Sequence, residues 1–211
     1  IAAAPNGTEV GIRVVEEGRL VERAPLEAVE IDYPDAGRGT VYTVGHPEPL
    51  TLLRSLGVRG RAANAMLLRP ATAAYLKRVG RDLDAGVLSH EAAAAEILAP
   101  RKARGLASAV RGLVHGGAGA LPPFFALLRG ERGGRGVTVG CHVTALPPGM
   151  DGATAIPAAI AASMLLHRPP APGVHAPEAV VDPDVLLAAL AAHCPGTPAS
   201  VDALAPVVEG A

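Results

Sequence analysis

A chain of 211 residues with five aromatic side chains (Tyr33, Tyr42, Tyr75, Phe124 and Phe125) cannot build its core from rings. Forty-two alanines carry much of its 49% hydrophobic content, so the interior must come from Ala, Leu, Val and Ile. Each small side chain buries little area, so many must be buried together to offset the entropy of ordering the chain. Length permits this: about 200 residues bury roughly 70% of the unfolded surface, in one large domain or one plus a small appendage. High hydrophobicity with a net charge of −1 argues against disorder. The same charge balance lacks the electrostatic footprint of a nucleic-acid binder, and five aromatics leave little for bases to stack on.

Cys141 and Cys194 are too few for a disulfide scaffold and lack metal-ligand spacing, which predicts a reducing, cytoplasmic home. Seven scattered histidines, none paired at ligand spacing, predict no zinc site. No apolar run reaches the roughly 18 residues of a membrane span, the longest candidate being Ala153 to Leu166, interrupted by Pro157. The chain begins at Ile1 without a basic segment or an apolar one, so no secretory signal is expected. It also begins without Met, which is expected of a processed start or a piece of something longer.

Along the chain, residues 9 to 23 predict a β-hairpin, with Val10, Ile12 and Val14 alternating with Gly11 and Arg13 and a turn at Glu17-Gly18. Two further strands are expected at Ala28 to Tyr33 and Gly39 to Val44, around the turn Pro34-Asp35-Ala36-Gly37. The period then changes. Pro47 opens a helix carrying Leu50, Leu53 and Leu56 on one face before Gly57, and Ala71, Tyr75, Val79 and Leu83 follow at helical spacing after Pro70. Ser89 caps Ala92 to Leu98, ended by Pro100, and Arg101 to His115 carries a stripe of Leu106, Val110 and Leu113. A short turn or helix is expected from Pro122 to Leu128. Residues 129 to 136 read as a mobile hairpin loop, with an anion-binding nest as the sharper alternative. Val137, Val139, Cys141 and Val143 predict a half-buried strand. Thr154 and Pro157 are expected to open a helix with Ile156, Ile160, Met164 and His167 on a face. A proline-rich connector, 168 to 181, leads to a helix started by Asp182-Pro183 and running to His193. Residues 195 to 211 read as a tail, either a short helix or a frayed end. The whole predicts an α+β domain, a mixed or mainly antiparallel sheet covered by helices.

Gly117-Ala118-Gly119 is the nearest match to a dinucleotide fingerprint, but it lacks the third glycine, follows a helix and runs into Pro122-Pro123. A P-loop and a nucleophile elbow are absent from the sequence. More promising is Tyr42-Thr43-Val44-Gly45-His46-Pro47-Glu48-Pro49-Leu50, which sets His46 and Glu48 at a strand-to-helix mouth where side chains converge on ligands. The plainer alternative is a polar strand end and a first-turn carboxylate favoured by the helix dipole.

Residues 39 to 54 resemble the stretch that opens the second domain in the saccharopine dehydrogenase family, where a strand ends in a Gly-His-Pro-Glu-Pro-like turn. Residues 152 to 165, Gly-Ala-Thr-Ala-Ile-Pro-Ala-Ala-Ile-Ala-Ala-Ser-Met-Leu, are similar to that family's Thr-Gly-x-Pro-Ala-Ala-x-Ala helix, with Ala155 in place of the glycine. Gly173-Val174-His175-Ala176-Pro177-Glu178 and then Val181-Asp182-Pro183 resemble its Gly-Val-x-x-Pro-Glu connector and final helix. Order and spacing agree over about residues 8 to 194.

The resemblance implies the substrate-binding and dimerisation domain (residues 1–194, with a tail at 195–211) of an NAD- or NADP-dependent oxidoreductase. That fold is like the C-terminal domain of glyceraldehyde-3-phosphate dehydrogenase. The nucleotide would be bound mainly by an N-terminal Rossmann domain outside this chain. The implied substrate is an imine or secondary amine joining an amino acid or polyamine to a keto acid or aldehyde. A cytoplasmic homodimer with no nucleic acid, membrane or metal partner is expected. His46 is then a candidate for proton transfer. Arg54 is the best-placed guanidinium for a substrate carboxylate, ahead of Arg13 and Arg38. Glu48 would orient His46 or an ammonium group. Thr154 would offer its hydroxyl and helix N-terminal N–H groups, unless it is a plain N-cap. His142 is expected to satisfy a neighbour or face solvent. A non-catalytic binding or oligomerisation domain is the alternative.

Overall fold

A computed structural model describes residues 11–99 and 117–210. The protein is an α+β fold: three small antiparallel sheets and, among the described residues, seven helices. Its contacts fall into two compact units. One comprises the chain up to Asp32 and from Gly37 to Leu121; the other comprises Tyr33–Ala36 and the chain from Pro122 onward. The expected helix at 101–115 lies outside the described residues.

In the first unit, β1 (Ile12–Glu16) and β2 (Arg19–Arg23) form the expected hairpin. Its turn needs left-handed backbone at both central residues, and Glu17 (φ 50°) and Gly18 (φ 69°) supply it. Ile12, Val14 and Val15 are buried. A three-stranded sheet follows in the order β3 (Ala28–Tyr33), β4 (Gly37–Val44), β5 (Asn64–Met66). β4 lies in the middle, which is why Gly39 to Thr43 are buried without a break. The Thr43 hydroxyl, buried there, accepts from the Glu27 backbone N–H at 3.0 Å. β5 is absent from the sequence expectations, since Asn-Ala-Met carries no alternation and is extended by pairing with β4.

Helix α1 (Glu48–Ser55) buries Pro49, with Leu50 and Leu53 half-buried; Leu56, expected on the same face, is the C-cap and 61% exposed. α2 (Pro70–Asp84) and α3 (His90–Leu98) pack through Tyr75, Val79 and Ala93, with Leu76, Leu83 and Leu88 around them. Ser89 caps α3 by accepting from the Ala92 N–H at 3.2 Å.

The second unit contains the sheet β6 (Phe125–Arg132), β7 (Arg135–His142), β8 (Val207–Gly210). Three corrections belong here. The turn or helix expected at 122–128 is largely strand β6. The expected loop at 129–136 contracts to a two-residue turn, Gly133-Gly134 (φ 60° and 76°), because Arg129 to Arg132 pair with Arg135 to Thr138. Within residues 195 to 211 the expected short helix is α7 (Val201–Leu204), but the end of the segment is the sheet strand β8 and not a frayed terminus.

The remaining helices are α4 (Gly149–His167), α5 (Pro177–Val180) and α6 (Pro183–Ala191), the last capped by Asp182 as expected. Leu190, Ala191, Cys194 and Leu204 form this unit's core, packed by Val143, Ala145, Ile156, Ile160 and Leu187. α4 corrects one expectation. It starts five residues before Thr154, behind Pro148, so Pro157 sits inside it and deletes a helical hydrogen bond. Its 19 residues include an 18-residue window with a mean hydropathy of 1.3, long and apolar enough to cross a membrane by length and composition, although Asp151, Thr154 and Ser163 interrupt the apolar run as the sequence reading has it. None of that stretch is buried.

Candidate functional site

The site grows from the end of β4. Beyond Val44 the chain turns at Gly45, where a Cβ would lie 3.0 Å from the Ile12 methyl, so the strand end is held close to β1. Pro47 takes the N-cap position with helical backbone (φ −74°, ψ −19°), and Pro49 in the first turn needs no N–H donor there. This fixes where His46 and Glu48 project.

His46 Nδ1 and a Glu48 carboxylate oxygen are hydrogen-bonded. Both side chains stay open to solvent, at 57% and 46% exposure. A carboxylate only accepts, so Nδ1 carries a proton, and in the neutral imidazole Nε2 then keeps its lone pair. The pair is therefore a base at Nε2 whose protonated form is an ion pair with Glu48. Glu48 occupies the first residue of α1, where the dipole favours negative charge.

Arg54 lies on the last turn of α1 and is exposed. Six helical residues place it about 9 Å along the axis and about 120° around it from Glu48, so the helix sets it apart from the His46–Glu48 pair. Thr154 belongs to the second unit, exposed in the second turn of α4. This corrects its assignment as an N-cap: its N–H groups are inside the helix and cannot be offered to an anion. Arg38 is paired with Asp32 (3.5 Å) and Glu30 (3.8 Å), and Arg13 is exposed on β1.

His142 does satisfy a neighbour: its Nδ1 lies 3.3 Å from the Tyr33 hydroxyl. Tyr33 stands edge-on to Phe125, ring centroids 5.2 Å apart, over Gly140, where a Cβ would lie 2.5 Å from the ring. Burial pushes the Tyr33 hydroxyl above its ordinary value, with Cys141 and Asp35 adding to the effect. The partnership was invisible in the sequence because the two residues are 109 positions apart.

Burial likewise raises both thiols. Cys194 donates to the carbonyls of Leu190 (3.4 Å) and Ala145 (3.5 Å). Among the described residues no three His, Cys, Asp or Glu side chains converge to hold a metal ion.

The Gly117-Ala118-Gly119 stretch does not fit a dinucleotide either. In that stretch, the Gly117 carbonyl accepts from the Thr40 N–H at 3.0 Å. A Cβ on Gly119 would sit 2.6 Å from the Arg38 carbonyl oxygen. These glycines serve close packing on β4 and leave no cradle for a pyrophosphate. Comparison with family models, curated proteins and solved structures gives no match to this chain.

Proposed function

We propose that this chain is the substrate-binding and dimerisation part of a cytoplasmic, NAD- or NADP-dependent oxidoreductase of the saccharopine dehydrogenase kind. Its substrate would be an imine or secondary amine joining an amino acid or polyamine to a keto acid or aldehyde. The observation that carries this reading is the His46–Glu48 pair at the mouth between β4 and α1. It lies within the Gly-His-Pro-Glu-Pro turn on which the resemblance to that family rests.

The chemistry asked of the pair is proton handling. A secondary amine is protonated near neutral pH, and its nitrogen must lose that proton before its lone pair can assist departure of hydride from the adjacent carbon. His46 Nε2 accepts the proton, and Glu48 stabilises the imidazolium through Nδ1–H. Arg54 would meet a carboxylate on a substrate long enough to span the first two turns of α1. The hydride acceptor would be held by another part of the polypeptide, as the resemblance to that family implies.

Calorimetric titration of NADPH into the 211-residue chain is expected to give no binding heat, and coding sequence upstream is expected to encode a strand–Gly-x-Gly-x-x-Gly–helix unit. Joined to that unit, His46→Ala should lower turnover by about 10²–10⁴-fold, the usual contribution of a positioned base. Micromolar NADPH binding by the chain alone, or full turnover in His46→Ala, would overturn the proposal. The second outcome would leave a non-catalytic binding domain as the better reading.

A further inference from the structure

The net charge of −1 conceals a segregation of charge: between Glu48 and Asp82 stand seven Lys or Arg, from Arg54 to Arg81, and no Asp or Glu. Part of this stretch is built into the turn end of the β1–β2 hairpin. Helix α1 runs along the hairpin, since Gly45, just before it, lies against Ile12 at one end and the Arg59 backbone lies against Gly18 of the turn at the other. Leu56, the C-cap of α1, is thereby carried to the turn end, where it is 61% exposed. Beyond it the chain joins the edge of β1. Val15 and Ala62 donate to each other's carbonyls at 2.8 and 3.1 Å.

Residues directly opposite in antiparallel segments share a face. Arg61 therefore lies across from Glu16 on one side, as Arg19 does on the other. Alternation brings Arg59 to the face of Arg61. The Glu16 carboxylate is already bonded to Arg23. Arg19, Arg59 and Arg61 are exposed and, among the described residues, make no ion pair. Four guanidinium groups thus stand at the end of the hairpin with two carboxylates, Glu16 and the turn residue Glu17. Elsewhere such cations are answered: Arg38 by Asp32 and Glu30, Arg132 by Glu209.

We propose that this end of the hairpin docks on an anionic phospholipid surface, with Leu56 entering the headgroup layer and Arg19, Arg59 and Arg61 meeting the lipid phosphates. Charge complementarity selects an anionic partner. The exposed leucine among the cations selects lipid over a nucleic-acid backbone, which has no apolar layer to receive it. The aromatics of the first unit, Tyr42 and Tyr75, are buried and offer bases nothing to stack on. A few cations and one apolar side chain are each weak signals, and together they give reversible binding. Docking uses none of His46, Glu48 and Arg54 and needs no particular reaction, so it stands apart from the redox reading.

Cosedimentation of the full chain with vesicles tests it, one set made of phosphatidylcholine alone and the other of phosphatidylcholine and phosphatidylserine in equal parts. The wild type is expected to sediment with the mixed vesicles only, and to be released as added salt shortens the screening length. Arg19→Gln, Arg59→Gln and Arg61→Gln should each weaken binding about fivefold, the contribution of one cation near such a surface, and about a hundredfold together. Leu56→Ser should weaken it about tenfold by removing the inserted apolar group. All four residues are exposed, so circular dichroism should show the variants folded. A wild type that stays in the supernatant, or that binds both sets equally, overturns the inference. So does a triple variant or a Leu56→Ser variant that binds as the wild type does. Tighter binding of the wild type to an RNA duplex than to the mixed vesicles overturns it as well, since a phosphate backbone would then be the partner.

Discussion

β4 and β6 are both eight residues long, yet one is buried through its middle and the other has no buried residue. β4 lies between β3 and β5 and spends its length on Thr, Val and Tyr, with one glycine at a tight contact. β6 lies at an edge and gives half its length to Arg-Gly-Glu-Arg. The difference teaches that position in a sheet decides what a strand's residues are for. In the centre each atom has neighbours and shape dominates; at the edge, outward backbone groups and charge determine what can join.

The largest expected effect breaks the contrast at its strongest point. Tyr42 is 2% exposed in β4, so Tyr42→Ala should cost about 3–5 kcal/mol in urea denaturation, the range for large-to-small core changes. Leu128→Ala in β6 should stay within about 0.5 kcal/mol, as for exposed positions generally. Equal losses at the two sites would erase the distinction.

The two glycines sharpen it. A Cβ on Gly39 would lie 2.2 Å from the Ala118 carbonyl oxygen, a backbone atom that cannot step aside. Gly39→Ala should therefore cost about 1–3 kcal/mol by overpacking. Gly130→Ala meets open space and should stabilise the chain by about 0.4–1 kcal/mol through its unfolded state. Thermal melts of both variants on the same day check the opposite signs.

A smaller effect concerns a polar atom. The Tyr42 hydroxyl is buried without a hydrogen-bond partner among the described residues, and burial raises it above its ordinary value. Removing an unsatisfied buried group is neutral or favourable, so Tyr42→Phe should gain up to about 1 kcal/mol. A loss beyond that size would mean that the hydroxyl is paired in solution.

The smallest effect is a slope. Tyr33 and Tyr42 are acids whose folded values lie above the ordinary 10.0, so the folded state holds its protons more tightly than the unfolded one. Their contribution is full below pH 10 and declines as pH rises from there. The urea midpoint of the wild type should fall in that range, and fall less in Tyr42→Phe.

Much of the fold was legible wherever a local rule and the tertiary contacts agreed. Glu17-Gly18, Ser89 and Asp182 act through their own or adjacent backbone, so short-range chemistry suffices to place a turn and two helix starts. The His46–Glu48 pair was legible for the same reason, being two residues apart at a strand-to-helix junction. Thr154 misled because a hydroxyl before Pro157 looks like a cap, whereas α4 begins at Gly149 behind Pro147-Pro148. β6 was obscured by Pro122-Pro123 and by a charged half with no buried face to create alternation.

By itself the sequence determined the α+β class, the hairpin at the start, the caps and the pair at the end of β4, since each depends on neighbours a few residues away. Only the tertiary structure decided that Asn64–Met66 and Val207–Gly210 are strands, that Tyr33 meets His142, and that β6 ends its sheet. Those outcomes depend on hydrogen bonds and burial between segments distant along the chain, and a four-residue stretch such as Val-Val-Glu-Gly has no conformation of its own until a partner strand supplies one.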